Sequence, residues 1–128
     1  MTVNINGIEL TAITVGGSTM HYQGAQRNTL TFQFPDTYSF EQLDTAFTPL
    51  NTARITLTDD DGTYLHDNYT MRVSMAYAPY CVSEETDTEP AVFENRYTVV
   101  MAQKTYSELQ IESLQDTVDI LVLEILGV

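Results

Sequence analysis

Positive charge is scarce in this chain. Arg27, Arg54, Arg72, Arg96 and Lys104 stand against 18 acidic residues, a formal net charge of −13 over 128 residues. A surface this negative repels phosphate backbones and anionic headgroups, which disfavours nucleic acid and membrane as partners and leaves proteins as the expected ones. Cys81 is the only cysteine, so an intrachain disulfide and a cysteine-rich zinc site are both excluded. The opening Met1-Thr-Val-Asn-Ile-Asn-Gly lacks the basic residues and apolar stretch of a signal peptide. The most apolar segment is broken by Glu124 and falls well short of the ~20 residues of a membrane span. A soluble product, cytoplasmic when made, is therefore expected. The size suits one domain, and eight Tyr and five Phe can fill a core.

Period-two patterning dominates residues 1–104. Asn6-Gly7 between Val3/Ile5 and Ile8/Leu10 is the signature of a two-residue hairpin turn. The apolar phase then slips to Ile13 and Val15, which predicts a bulge near Thr11-Ala12, and Gly16-Gly17 predicts a strand end. Thr19–Gln23 reads as a short strand with Met20 and Tyr22 on one face. The clearest strand is Arg27–Phe34, with Leu30, Phe32 and Phe34 on one side, stopped by Pro35-Asp36. Further strands are expected at Ala53–Thr58 and Thr63–Asp67, joined by the Asp59–Gly62 turn. Two more follow at Tyr69–Tyr77 and Val92–Ala102, the last burying Phe93, Tyr97, Val99 and Met101. Residues 78–91 read as one long acidic loop.

Two helices interrupt this pattern. Ser39 with Gln42 makes a capping box for a short helix near 39–48, whose stripe is Phe40, Leu43 and Phe47. Thr105 with Glu108 makes a second box for a long C-terminal helix, 105–128. There Ile111, Leu114, Val118, Leu121, Ile125 and Val128 form a heptad seam. Ile120, Val122, Leu123 and Leu126 lie outside the seam, so the last turns are apolar almost all round and need cover on several sides. The predicted fold is α+β. It is mainly an antiparallel β-sandwich or barrel with one short internal helix and a long C-terminal helix, packed on the body or on a neighbouring subunit. The predicted interface is Ile111, Leu114, Val118, Leu121, Val122, Ile125 and Leu126.

Candidate chemistry is thin. Placing Gly62 at the sixth position of a calcium-binding loop puts Leu57 first and Asn68 twelfth, where carboxylates belong, so Asp59–Asp61 reads as a polar turn. His21 and His66 have no second His or Cys at metal-ligand spacing. Cys81 has no basic neighbour to activate it, and Glu84-Glu85 reads as solvated charge. No Gly-x-Ser-x-Gly, phosphate loop or dinucleotide fingerprint occurs. No catalytic residue, cofactor or metal is expected.

The stretch Val15–Phe34, containing Tyr22-Gln23-Gly24-Ala25-Gln26-Arg27-Asn28-Thr29-Leu30-Thr31-Phe32, resembles the opening of tailed-phage baseplate and tail-hub domains. In those domains a short strand passes through a glycine and an arginine into a Leu/Phe-rich strand. Thr58–Leu65 is similar to their Asp-Asp-Gly turn and following strand, and Val99–Val128 to helical tails of small prophage structural proteins. The helix at Ser39–Thr48 departs from that pattern, where a plain loop is usual. The resemblance implies a minor tail or baseplate component that assembles into rings or stacks by protein contacts, found in the virion, with Arg27 serving fold or interface. Two other classes stay open: an acidic inhibitor that mimics nucleic acid, and a small ligand-binding barrel, which needs a pocket of about 300 Å³ or more.

Overall fold

The computed structural model describes residues 1–125. Asn6 and Gly7 both take positive φ, 49° and 83°, a backbone that glycine and asparagine tolerate best. They join β1 (Thr2–Ile5) to β2 (Ile8–Thr11), with Val3 opposite Leu10 and Ile5 opposite Ile8. On its other side β1 pairs with β5 (Arg54–Asp59), setting Val3 against Leu57 and Ile5 against Ile55. β5 continues into β6 (Gly62–Asp67) through a turn in which the Asp59 carboxylate accepts from the Asp61 and Gly62 amides. The first sheet thus has the order β2-β1-β5-β6 and is antiparallel at every pair.

The phase slip after Leu10 is a change of sheet rather than a bulge. Ala12 is buried at the crossing, where its amide donates to the Met1 carbonyl at 2.9 Å, and Ile13 donates to Gln33 on the other sheet at 2.7 Å. From there β3 (Thr14–Tyr22) runs straight through Gly16-Gly17, which pair with Thr31 and Leu30 of β4 (Ala25–Pro35). The predicted strand end at the glycines is therefore absent. Strand pairing on a neighbour holds their backbone extended. The reversal comes later, at Gln23-Gly24, with φ of 47° and 80°.

β4 pairs next with β8 (Val92–Ala102), and β8 with β7 (Met71–Ser83), giving the second sheet the order β3-β4-β8-β7. β7 runs six residues further than predicted, to Ser83, so the acidic connection shrinks from 78–91 to 84–91. Phe93 is 60% exposed, not buried. The reason is register: β4 reaches along β8 only to the Pro35–Arg96 pair, and beyond it β8 has β7 alone. Residues 78–83 and 92–95 thus make a two-stranded ribbon past the core, with Tyr80, Val82, Val92 and Phe93 exposed.

Between the sheets lies one buried cluster. Val3, Ile5, Ile55 and Leu57 come from the first sheet, and Leu30, Phe32, Phe34, Val99 and Met101 from the second. α1 (Phe40–Ala46) adds Leu43, Ala46 and, just past its end, Phe47. Its capping box is formed: Ser39 Oγ accepts from the Gln42 amide at 3.1 Å, and Gln42 Oε1 from the Ser39 amide at 2.8 Å. Phe40 of the predicted stripe is 53% exposed, because the first residue of so short a helix stands outside the sandwich edge. One 3-10 turn (Asn51–Ala53) leads into β5. The fold is an α+β sandwich of two four-stranded antiparallel sheets with a C-terminal helix, α2 (Tyr106–Ile125). Among the described residues no helix is long and apolar enough to cross a membrane.

Candidate assembly surface

Past its first turn, the described side chains of α2 lie in the open. Every residue from Gln110 to Val122 is exposed, and the seam positions Ile111, Leu114, Val118 and Leu121 are 50–64% exposed. Such values are those of side chains covered only by their own helix. Val122 (47%) and Ile120 (58%) are equally open. Ile125 ends the helix, and Leu126 lies outside the described residues, as does Val128. The structure therefore brings five of the seven predicted interface residues together on one open surface.

What holds α2 is its first turn. The Thr105 amide and hydroxyl donate to Glu108 Oε1 at 2.8 and 3.1 Å, and the Glu108 amide donates to Thr105 Oγ1, completing the predicted capping box. The same carboxylate takes a forked ion pair from Arg27, whose Nη2 reaches Oε2 at 2.8 Å while Nη1 reaches Oε1. Arg27 is 2% exposed. Its Nε donates to the Tyr22 carbonyl at 2.7 Å, Nη2 also to the Gln23 carbonyl at 3.1 Å, and Nη1 also to the Gln103 carbonyl at 3.3 Å. All five guanidinium N–H groups are therefore used. They tie together the β3–β4 turn, the segment after β8 and the base of α2.

The pairing shifts both groups in the expected sense. The bond to Glu108 raises the Arg27 pKa against the opposing effect of burial. The Arg27 bond, followed by the Thr105 amide, lowers Glu108 from 4.5 to about 2. A depressed carboxylate pKa contributes stability that is fully present above the unfolded value of about 4.3 and is lost as pH falls toward 2. Glu108 is 39% exposed on its side chain, so the contribution is about 1 kcal/mol rather than the ~3 kcal/mol of a fully buried two-unit shift. We expect Glu108→Gln to flatten the pH 5-to-2 stability profile by that amount in urea melts; curves parallel to the parent at every pH would contradict this.

The other four cations are paired as well: Arg54 with Asp67, Arg72 with Asp44, Arg96 with Glu94 and Lys104 with Glu112. Arg96 also lies 3.9 Å from the centre of the Tyr80 ring and donates to Gln33 at 3.0 Å, bracing the root of the ribbon. Among the described residues there is no free basic patch, and the excess charge is carboxylate.

The remaining predicted candidates lie apart. His21 is exposed on edge strand β3, and His66 stands edge-on to Tyr69 at 5.8 Å. Cys81 is exposed on the ribbon, and Glu84 and Glu85 are exposed beyond it. Among the described residues no group of three or more His, Cys, Asp and Glu could hold a metal ion. A depression of about 510 Å³ between β2 and α1 is lined by Ile8, Leu10, Tyr38, Gln42 and Ala46, with Glu9 and Glu41 its only charged groups. No family model, curated protein or solved structure matches the chain.

Proposed function

We propose that the chain is a non-enzymatic structural component of a phage or prophage virion, in the tail or baseplate, that works by oligomeric protein contacts. The observation that carries the assembly part is α2: a helix fixed at its base by a fully bonded arginine, with an apolar seam that the body leaves uncovered. Apolar surface in a continuous stripe is kept where another protein covers it. The β7–β8 ribbon supports the same reading, since a two-stranded ribbon alone is marginal in water and carries Val82, Val92 and Phe93 in the open. The placement in a tail or baseplate comes from the resemblance of Tyr22–Phe32 and Thr58–Leu65.

Induced cultures of the encoding strain, with particles banded by density and digested for mass spectrometry, test the placement. The chain is expected in the particle band at a constant ratio to the tail tube protein, and its gene beside those for tape measure and fibre proteins. Particles lacking it, or a gene set among metabolic genes, would count against the virion reading.

A further inference from the structure

Within that reading, on which this inference rests, we infer that the partner of α2 is a second copy of the same chain, joined in parallel and in register as a two-stranded coiled coil. Numbering the seam as a heptad puts Ile111 and Val118 at the a positions and Leu114 and Leu121 at d. β-branched residues at a with Leu at d favour two parallel strands over three or four.

Charge placement points to the same occupant. The chain carries −13, yet the seam and its flanks are nearly free of charge from Gln110 to Val122. Glu112, Asp116 and Asp119 fall at b, f and b, on the far side of the helix. In a parallel pair the flanking contacts join Gln110 to Gln115 and Thr117 to Val122 of the other copy, so no like charges meet. A basic partner would instead be matched by acidic flanks, and the flanking positions between Gln110 and Val122 carry none.

The area is in the range of a weak, reversible dimer. The exposed surface of Ile111, Leu114, Val118, Leu121 and Val122 is roughly 450 Å² per chain, so a pair covers at most about 900 Å² before the stems of Gln110 and Gln115 are added. That approaches the ~1,000 Å² that marks a specific contact. The Arg27 clamp holds the first turn of α2 to the body, and both bodies then sit at the same end of the coil. Two acidic bodies side by side repel, and that repulsion is screened beyond about 8 Å at physiological salt. Dimerisation is therefore expected to strengthen as salt is raised.

The test uses the full chain. Light scattering at tens of micromolar is expected to give twice the 14.4 kDa chain mass, and Leu114→Asp to weaken association about a hundredfold. Because these side chains are exposed and stand outside the buried cluster, the melting temperature of the sandwich should stay at the parent value in that variant. In a Cys81→Ser background, Leu114→Cys should form a disulfide-linked dimer on mild oxidation, while Asp116→Cys should not. A monomeric parent, a dimer that survives Leu114→Asp, or equal cross-linking at 114 and 116 would each overturn the parallel pair. The chain could still be found in the particle band, so this failure is separable from failure of the virion reading.

Discussion

Phe32→Ala is expected to cost about 3–5 kcal/mol, a large share of the 5–15 kcal/mol that holds a typical domain folded. Phe32 is fully buried on β4, an interior strand flanked by β3 and β8, opposite Val15 on one side and Val99 on the other. Its ring centre lies 5.2 Å from that of Phe47 and 6.2 Å from that of Phe34, so truncation opens a void where the two sheets and α1 meet. β4 is hydrogen-bonded on both edges and cannot shift to fill it. Urea denaturation should show a lower midpoint at unchanged slope. Phe93→Ala provides the contrast: the same deletion at a 60% exposed site should change stability by no more than about 0.5 kcal/mol. Comparable losses at the two sites would mean that the ribbon belongs to the core and that the sandwich is wrongly bounded.

The pair also shows what alternation conveys. A period of two assigns each residue to a face, and both Phe32 and Phe93 sit in clean alternating strands. It does not say how far the neighbouring strand extends. Phe93 is exposed because β4 ends at Pro35, a fact about register fixed 58 positions away in the chain. The slip at Thr11-Ala12 had the same origin. A bulge and a switch between sheets both shift the apolar phase by one, and only pairing partners tell them apart. Local signals fared better: the Asn6-Gly7 turn, the Ser39 and Thr105 boxes and the Asp59–Gly62 turn are each satisfied within a few residues.

The open apolar seam was legible for the same reason. A heptad seam is a local pattern, and Ile111 to Val122 needed only the helix to form. The clamp beneath it was not legible. Arg27 lies on the face of β4 opposite Phe32 and Phe34, with Thr29 and Thr31, where an arginine ordinarily reaches solvent. The available hint was Glu108, a capping-box glutamate whose second oxygen has no task within its own helix. Eighty-one positions separate the two residues, and a strand-to-helix connection had to place them together.

Arg27→Met is the substitution that tests this clamp, and it is expected to cost about 3 kcal/mol. Methionine fills much of the same space but donates nothing. The carbonyls of Tyr22, Gln23 and Gln103 lose their donors, and Glu108 keeps only Thr105. The loss stays below that of a wholly interior ion pair, because Glu108 is partly hydrated already. Arg27→Lys should recover about 1 kcal/mol, since an ammonium can meet the carboxylate but cannot fork to it while also reaching the turn. If the arginine acts mainly through Glu108, the double variant with Glu108→Gln will cost little more than Arg27→Met alone. If the carbonyl bonds dominate, the two losses will add. Hydrogen exchange adds a readout of position: amides of the first turn of α2 and of Gln23-Gly24 should lose protection together, while those of β5 follow only the global change. Retained protection at Glu108 and Leu109 in Arg27→Met would show that the capping box alone anchors the helix, and the rod on which the proposed coiled-coil dimer depends would then need no support from the sandwich.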